Sequence, residues 1–285
     1  MKENRLIWIF IIVSQFTFSQ IKGIVKDSIS GEPIPYVNIW VENETIGTTS
    51  EANGGFSLDI KEEKLLVFSA LGYESKKSSS KNELILLKPK VFELNEVVIS
   101  IPKKTIESEI GFYLPENQVI PWILAKKFNL EENNQDLKFI KEISFFTKSK
   151  VDNGVFRARI FKVKSDGMPG EDLVSEEIIV EVKKGKSKTK LDVSKYNIQI
   201  PKEGIIVGFE SLFIDKNKYS QEARVIGSKK ATYIENYSPH IMYCDDSDEV
   251  CYVFRSARWI TQKRAKYNTT QKSSFAPAIT LTITN

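Results

Sequence analysis

Histidine, cysteine and methionine are scarce: 285 residues include 1 His, 2 Cys and 3 Met. One imidazole excludes any site built on two histidines. His240, in "YSPHIMY", would have to serve any Ser-His-Asp or Cys-His hydrolase, yet no G-x-S-x-G nucleophile signature accompanies it. It reads as a surface or strand-edge residue. One His beside a single Cys pair also gives no tetrahedral zinc set, so neither a metal nor a cofactor is expected. Charge of one sign is lacking too. Lys and Arg number 41 against 37 Asp and Glu, a net +4; residues 1–19 carry Lys2, Glu3 and Arg5, and setting them aside leaves +3. That balance gives no indication of nucleic acid.

No stretch beyond the N-terminus is long and apolar enough to cross a bilayer as a helix. At the N-terminus, Lys2 and Arg5 precede an apolar run from Leu6 to Val13, followed by Thr17, Phe18 and Ser19. This is the pattern of a secretory signal peptide, expected over residues 1–19 with the cut after Ser19. No Cys follows the run to accept a lipid, so the expected location is the periplasm, the outer membrane's periphery or the cell surface. Export bears on the two cysteines. Cys244 and Cys251 lie in "IMYCDDSDEVCYVF", whose alternating flanks suggest a hairpin with the two facing each other, as a disulfide requires. Free core thiols are the alternative.

Hydrophobic residues make up 41% of the chain and aromatics 11%, enough for two cores. From Ile21 to Ile99, short strands alternate with turn residues and almost no helical period occurs: "IKGIVKD", "YVNIWVE", "KLLVFSALGYES" and "NELILLKP". Val37, Ile39 and Val41 share one side, as do Phe56, Leu58 and Ile60. "GTTSEANGGFSLDI" reads as a hairpin closed at Asn53-Gly54-Gly55, because a primed turn demands positive φ.

The ordered series Gly23-x-Val25-x-Asp27, Gly31-Glu32-Pro33-Ile34-Pro35, Gly47-Thr48-x-Ser50, Asn53-Gly54-x-Phe56-x-Leu58 and Leu66-x-Phe68-x-Ala70-x-Gly72-Tyr73 resembles the carboxypeptidase regulatory-like domain. The resemblance implies a small transthyretin-like β-sandwich, a module that commonly follows the signal peptide in envelope proteins of the Bacteroidetes type. It brings no catalytic residues. "FELNEVVIS", residues 92–100, resembles the segment that follows this domain in TonB-dependent outer-membrane receptors, but the 185 residues after it fall far short of their barrel. Residues 20–101 are therefore assigned to the first domain, 102–107 to a linker and 108–285 to a second.

The second domain also reads as strands, including "LKFIKEISFFTKS", "VFRARIFKVKS", "EEIIVEVKK", "GIIVGFESLFI" and "FAPAITLTITN". Along "VFRARIFKVK", Val155, Arg157, Arg159, Phe161 and Val163 share one face and Phe156, Ala158, Ile160, Lys162 and Lys164 the other; such mixed faces suit a sandwich with one sheet partly exposed. The strand order resembles accessory jelly-roll domains of secreted bacterial proteins, some of them carbohydrate-binding. The fold expected is thus all-β: two β-sandwich domains, the N-terminal one transthyretin-like and the larger C-terminal one jelly-roll-like.

Candidate chemistry is sparse. "KKGKSKTK", residues 183–190, reads as a solvated hairpin tip, or as a contact for an anionic polymer. Asp245, Asp246, Asp248 and Glu249 form an acidic tip that either binds Ca²⁺ or is merely solvated. Asp166, Glu171 and Asp172 sit in a Gly- and Pro-rich stretch that reads as a loop. Trp40, Trp122, Trp259, Tyr233, Tyr237 and Tyr267 are either core or stacking faces for sugars. The best candidate for an exposed patch, mixing cationic and aromatic groups, is Arg255, Arg258, Trp259, Lys263 and Arg264 in "RSARWITQKRAKY"; the alternative is a strand and loop that snorkel over the core. The function expected is a non-enzymatic envelope binding or scaffolding protein with a protein partner. The alternative is a carbohydrate-binding accessory protein acting through its C-terminal sandwich.

Overall fold

The computed structural model describes residues 20–90, 123–130, 138–224, 231–245, 250–255, 258–262 and 275–284. The expected signal segment, the "FELNEVVIS" stretch and the linker fall outside the described residues. The chain divides into two compact units, 1–90 and 91–285. Among the described residues the regular elements are strands, apart from two short 3-10 turns at Ser194–Tyr196 and Asp215–Asn217.

The N-terminal unit contains β1 (Gln20–Asp27), β2 (Asn38–Val41), β3 (Gly47–Thr49), β4 (Gly55–Asp59), β5 (Leu65–Ser69), β6 (Lys76–Ser79) and β7 (Leu84–Leu87). One sheet has the order β4-β1-β7, with β1 antiparallel to β4 and parallel to β7; the other has the order β3-β2-β5-β6. Period-2 alternation sends Val25, Phe56, Leu58, Ile85 and Leu87 inward from the first sheet. They meet Ile39, Val41, Leu66 and Phe68 from the second in one core, so the unit is a β-sandwich. The Phe56 and Phe68 rings join the sheets edge to face, 5.6 Å apart. Each such side chain, fully buried, contributes about 1.5–3 kcal/mol. The predicted inward sets at 37, 39, 41 and at 56, 58, 60 are all buried.

The expected hairpin around Asn53 does not form. β3 pairs with β2 and β4 with β1, so the turn carries the chain from one sheet to the other. Its own bonds hold it tight: Glu51 N donates to Gly55 O (2.7 Å), Gly54 N to Glu51 O (2.9 Å) and Gly55 N to Asn53 Oδ1 (3.0 Å). Alternation and turn chemistry signal a reversal, but they do not say whether the second strand returns to its neighbour or to the opposite layer.

The C-terminal unit contains β8 (Ile123–Phe128), β9 (Phe139–Ser149), β10 (Gly154–Val163), β11 (Pro169–Asp172), β12 (Ile178–Val182), β13 (Gly185–Asp192), β14 (Ile205–Ser211), β15 (Lys218–Arg224), β16 (Ala231–Tyr237), β17 (His240–Ile241), β18 (Tyr243–Asp245), β19 (Cys251–Arg255), β20 (Arg258–Gln262), β21 (Phe275–Pro277) and β22 (Ile279–Thr284). The largest sheet runs β11-β10-β14-β8-β19-β20, with β12 also paired to β10. A second sheet centres on β9, flanked by β13 on one side and by β17 and β22 on the other. Their facing sides share a core: Phe156, Ala158, Ile160, Val207, Phe209 and Val253 meet Ile140, Ile143, Phe145, Ile241 and Ile279. Phe156 sits at its centre, 4.9 Å from the Phe145 ring and 4.3 Å from that of Phe209. This unit too is a sandwich, and the chain is all-β.

Two local expectations are corrected here. "KKGKSKTK" is not a loop: Gly185–Asp192 pairs with β9 over its full length, placing Lys186, Lys188 and Lys190 at alternate positions on one exposed face. A lysine-rich strand hides from a hydrophobicity reading because its apolar partners lie on the neighbouring strand. The cysteine hairpin is also absent. Cys244 pairs across to Ala276, while Cys251 pairs with Lys126 and Gln262, so β18 and β19 are not partners.

Candidate functional site

The second face of the seven-stranded sheet holds the largest concentration of charge in the interior. On β10, Arg157 and Arg159 stand two residues apart on the side opposite Phe156 and Ala158, and Glu210 reaches them from β14, where it pairs with Arg157. Arg157 donates to Glu210 Oε1 (3.2 Å) and to Glu177 Oε1 (2.8 Å). Arg159 donates to Glu210 Oε2 (2.8 Å) and, through two nitrogens, to both Asp172 oxygens (2.6 and 2.5 Å). The result is a continuous ladder, Glu177–Arg157–Glu210–Arg159–Asp172. The Arg157 and Glu210 side chains are 1% and 0% exposed, so this face is closed to solvent at its centre.

Two members of the ladder have shifted titrations. Desolvation opposes the charge on Arg159, but Glu210 and Asp172 outweigh it and hold the guanidinium firmly protonated. Burial pushes the Glu177 carboxyl above its usual range; Arg157 opposes the shift and Glu210 adds to it. A raised native pKa stabilises the fold below the unfolded-state value, and that contribution is lost as pH rises through the native one. Glu177→Gln is therefore expected to flatten the fall in stability above about pH 4.5, measured as the denaturation midpoint at successive pH values.

The ladder runs into an aromatic cluster on the same face. Arg159 lies over the Phe161 ring (5.0 Å), and Phe161 meets Trp259 edge-on at 5.2 Å. Phe254 is 5.3 Å from the same indole. Ile123, Ala125, Ile206 and Tyr252 complete the cluster. Trp259 is thus a packing residue, half-buried against two rings, and not the centre of an open cationic patch. Arg255 and Arg258 face each other at the exposed tip of the β19–β20 pair. Lys263 and Arg264 lie outside the described residues.

The remaining sequence candidates scatter. Trp40 is buried in the N-terminal unit, Tyr237 packs on Phe213 and Tyr233 is exposed. Trp122, Tyr267 and Asp246 to Glu249 lie outside the described residues, as does the Cys244 side chain; the Cys251 sulfur is buried in the main core. Asp172 belongs to the ladder, while Asp166 accepts from Met168 N (2.9 Å) in a turn. Glu210 is the residue that sequence reasoning missed. The signal was a lone carboxylate in "GIIVGFESLFI", where burial demands a cationic partner. Among the described residues no group of three or more His, Cys, Asp or Glu is arranged to hold a metal ion, and no helix is long and apolar enough to cross a membrane.

The N-terminal unit contributes an apolar surface. On the outward side of its three-stranded sheet, Leu84 and Leu86 are 55% and 40% exposed and stand beside Ile24 and Lys26 of β1. Lys22 continues the row. Residues 21–99 match the family described as CarboxypepD_reg-like domain. The match falls on the segment whose motif series carried the resemblance. Over 80 residues the chain is 35% identical to the TonB-dependent receptor SusC of Bacteroides thetaiotaomicron, a stretch covering 28% of this chain and 8% of the receptor. The chain thus corresponds to a small fraction of that relative's length. A solved structure of a candidate carbohydrate binding protein from Bacteroides uniformis aligns over 76% of this chain and 95% of its own, at 13% identity and a TM-score of 0.20, and carries no argument about the site.

Proposed function

We propose that the protein is a non-enzymatic binding module of the cell envelope, exported and docked to a protein partner at or near the outer membrane through its CarboxypepD_reg-like domain. The observation that carries this reading is the outward row of Leu84, Leu86 and Ile24, flanked by Lys22 and Lys26. Leucines this exposed, side by side on a sheet whose inner face is already packed, gain nothing from the fold and are covered by association. The flanking lysines favour a partner surface with acidic residues around an apolar centre. Sequence similarity of this segment to part of a TonB-dependent receptor supports an envelope setting. A catalytic role is not favoured: Glu210 and Asp172, the most buried carboxylates of the ladder, have both oxygens held by guanidinium groups and are not poised as acid or base.

Photo-cross-linking residues placed at 84 and 86 of the mature chain in cells are expected to capture one dominant envelope protein. Leu84→Lys with Leu86→Lys is expected to cut co-purification of that protein at least tenfold while leaving the thermal transition intact. Absence of any protein adduct from both positions, with the chain exported and folded, would remove the protein-docking reading.

A further inference from the structure

A second surface lies on the outer side of the β9 sheet, independent of the leucine row. His240 on β17 pairs with Lys148 on β9, and Lys148 pairs with Lys186 on β13. Directly paired residues share a face, so three strands present a row of one imidazole and two ammonium groups, about 5 Å from strand to strand. Lys150 follows Lys148 by two positions, and Lys188 follows Lys186 along the exposed edge of β13. Like charges directly opposite each other destabilise a sheet. Among the described residues neither Lys148 nor Lys150 has an ion pair, and the acid that follows them in the chain, Asp152, is paired with Lys184 (3.8 Å). The row is a concentration of positive charge that the fold does not neutralise at Lys148.

We propose that this face, built on Lys148, Lys150, Lys186 and His240, binds an anionic polysaccharide. Three features favour a chain of acidic sugars. Cations repeat along β13 at two-residue steps of roughly 6.7 Å and across the strands at roughly 5 Å, a grid suited to an extended polymer with charge on successive units. The face also carries aromatic rings: Phe146 lies on the same side of β9, half-buried against Met242, Ala276 and Ala278, with Lys188 5.3 Å above it, and Tyr219 stands beside His240. No large apolar side chain stands fully exposed among the named residues of this face, as insertion into a lipid surface would require.

The only histidine of the chain reports on the site. Burial, then Lys148 and Lys150, hold its pKa below the usual value, and Tyr219 Oη lies 3.4 Å from Nε2. An anion seated on the lysines reverses their effect, so its pKa is expected to rise on binding.

The test uses the mature chain with polygalacturonate as the acidic probe, neutral dextran as control, and vesicles containing anionic phospholipid as the competing surface. Expected are binding to polygalacturonate that weakens with added salt, none to dextran, and an upward shift of the His240 titration followed by NMR. Lys148→Gln with Lys150→Gln is expected to lower the affinity at least tenfold. Because it removes a like-charge pair it is not expected to reduce the thermal transition, so a loss of binding cannot be assigned to misfolding. The proposal is overturned by failure to bind the acidic polymer, by unchanged binding in the folded double variant, by an unmoved His240 titration, or by binding to vesicles alone.

Discussion

Glu210→Gln is expected to lower the unfolding free energy of the C-terminal unit by about 3–5 kcal/mol, the cost of removing one partner from a buried ion pair. Glu210 is the shared rung of the ladder, with one oxygen on Arg157 and the other on Arg159. Glutamine keeps the volume but turns an amide N–H₂ toward a guanidinium, so one cation loses its acceptor at a position with no solvent to replace it. The two arginines differ in what remains to them. Arg159 keeps a bidentate pair with Asp172, 15% exposed, and Arg157 keeps its contact with Glu177, 28% exposed. The damage falls on the two strands that carry the ladder, and amide exchange along β10 and β14 should rise before that of β9. Asp172→Asn, at an end of the ladder that is more exposed than Glu210, is expected to cost less. The ladder is informative about specificity as well as stability. The paired arginines can be satisfied only when β14 is in register with β10, because a one-residue slip would send Glu210 into the apolar core. A denaturation midpoint for Glu210→Gln within experimental error of the wild type would show that the buried charges are dispensable.

Much of the fold was legible in local pattern. Phe56, Leu58 and Ile60, or Val37, Ile39 and Val41, announce a buried face by period-2 spacing alone, and the motif series through Tyr73 identifies the first sandwich. Alternation gives both faces of β10, but it says which residues travel together and not what covers them. The charge that neutralises Arg157 and Arg159 is Glu210, 53 and 51 positions away in sequence, a partner that no local pattern reveals. The lysine run shows the opposite failure. Its strand identity depends on pairing with β9, a non-local fact absent from "KKGKSKTK" itself. A stretch that mixes cationic and aromatic groups does not show that they share a surface: adjacent residues on a strand, such as Arg258 and Trp259, point to opposite faces, and the Trp259 ring packs on Phe161 and Phe254.

The Gly54 turn, read in sequence as a hairpin tip, gives the second large effect. Gly54→Ala is expected to destabilise the N-terminal unit by about 2–3 kcal/mol, from two separable causes. Gly54 has φ +76°, where an L side chain costs about 1–2 kcal/mol. In addition, its new Cβ would stand 2.6 Å from the Val25 carbonyl oxygen and 3.0 Å from Pro33 Cβ. Val25 is fully buried in the centre of β1, and its own N–H donates to the Gly54 carbonyl at 2.9 Å, so backbone relaxation at either residue breaks that bond. Gly31 supplies the control. Its φ is +74°, almost the same, but a Cβ there would meet nothing within 4 Å. Gly31→Ala thus carries the conformational cost alone, about 1–2 kcal/mol, and the difference between the two variants isolates the close approach of the crossover turn to β1. Amide exchange of the buried strands β1 and β2 measures both without interference from the C-terminal unit. Equal losses for the two variants would mean that the turn stands clear of β1; a larger loss at Gly54 means that the segment carrying the chain between the sheets is packed against the sheet it enters.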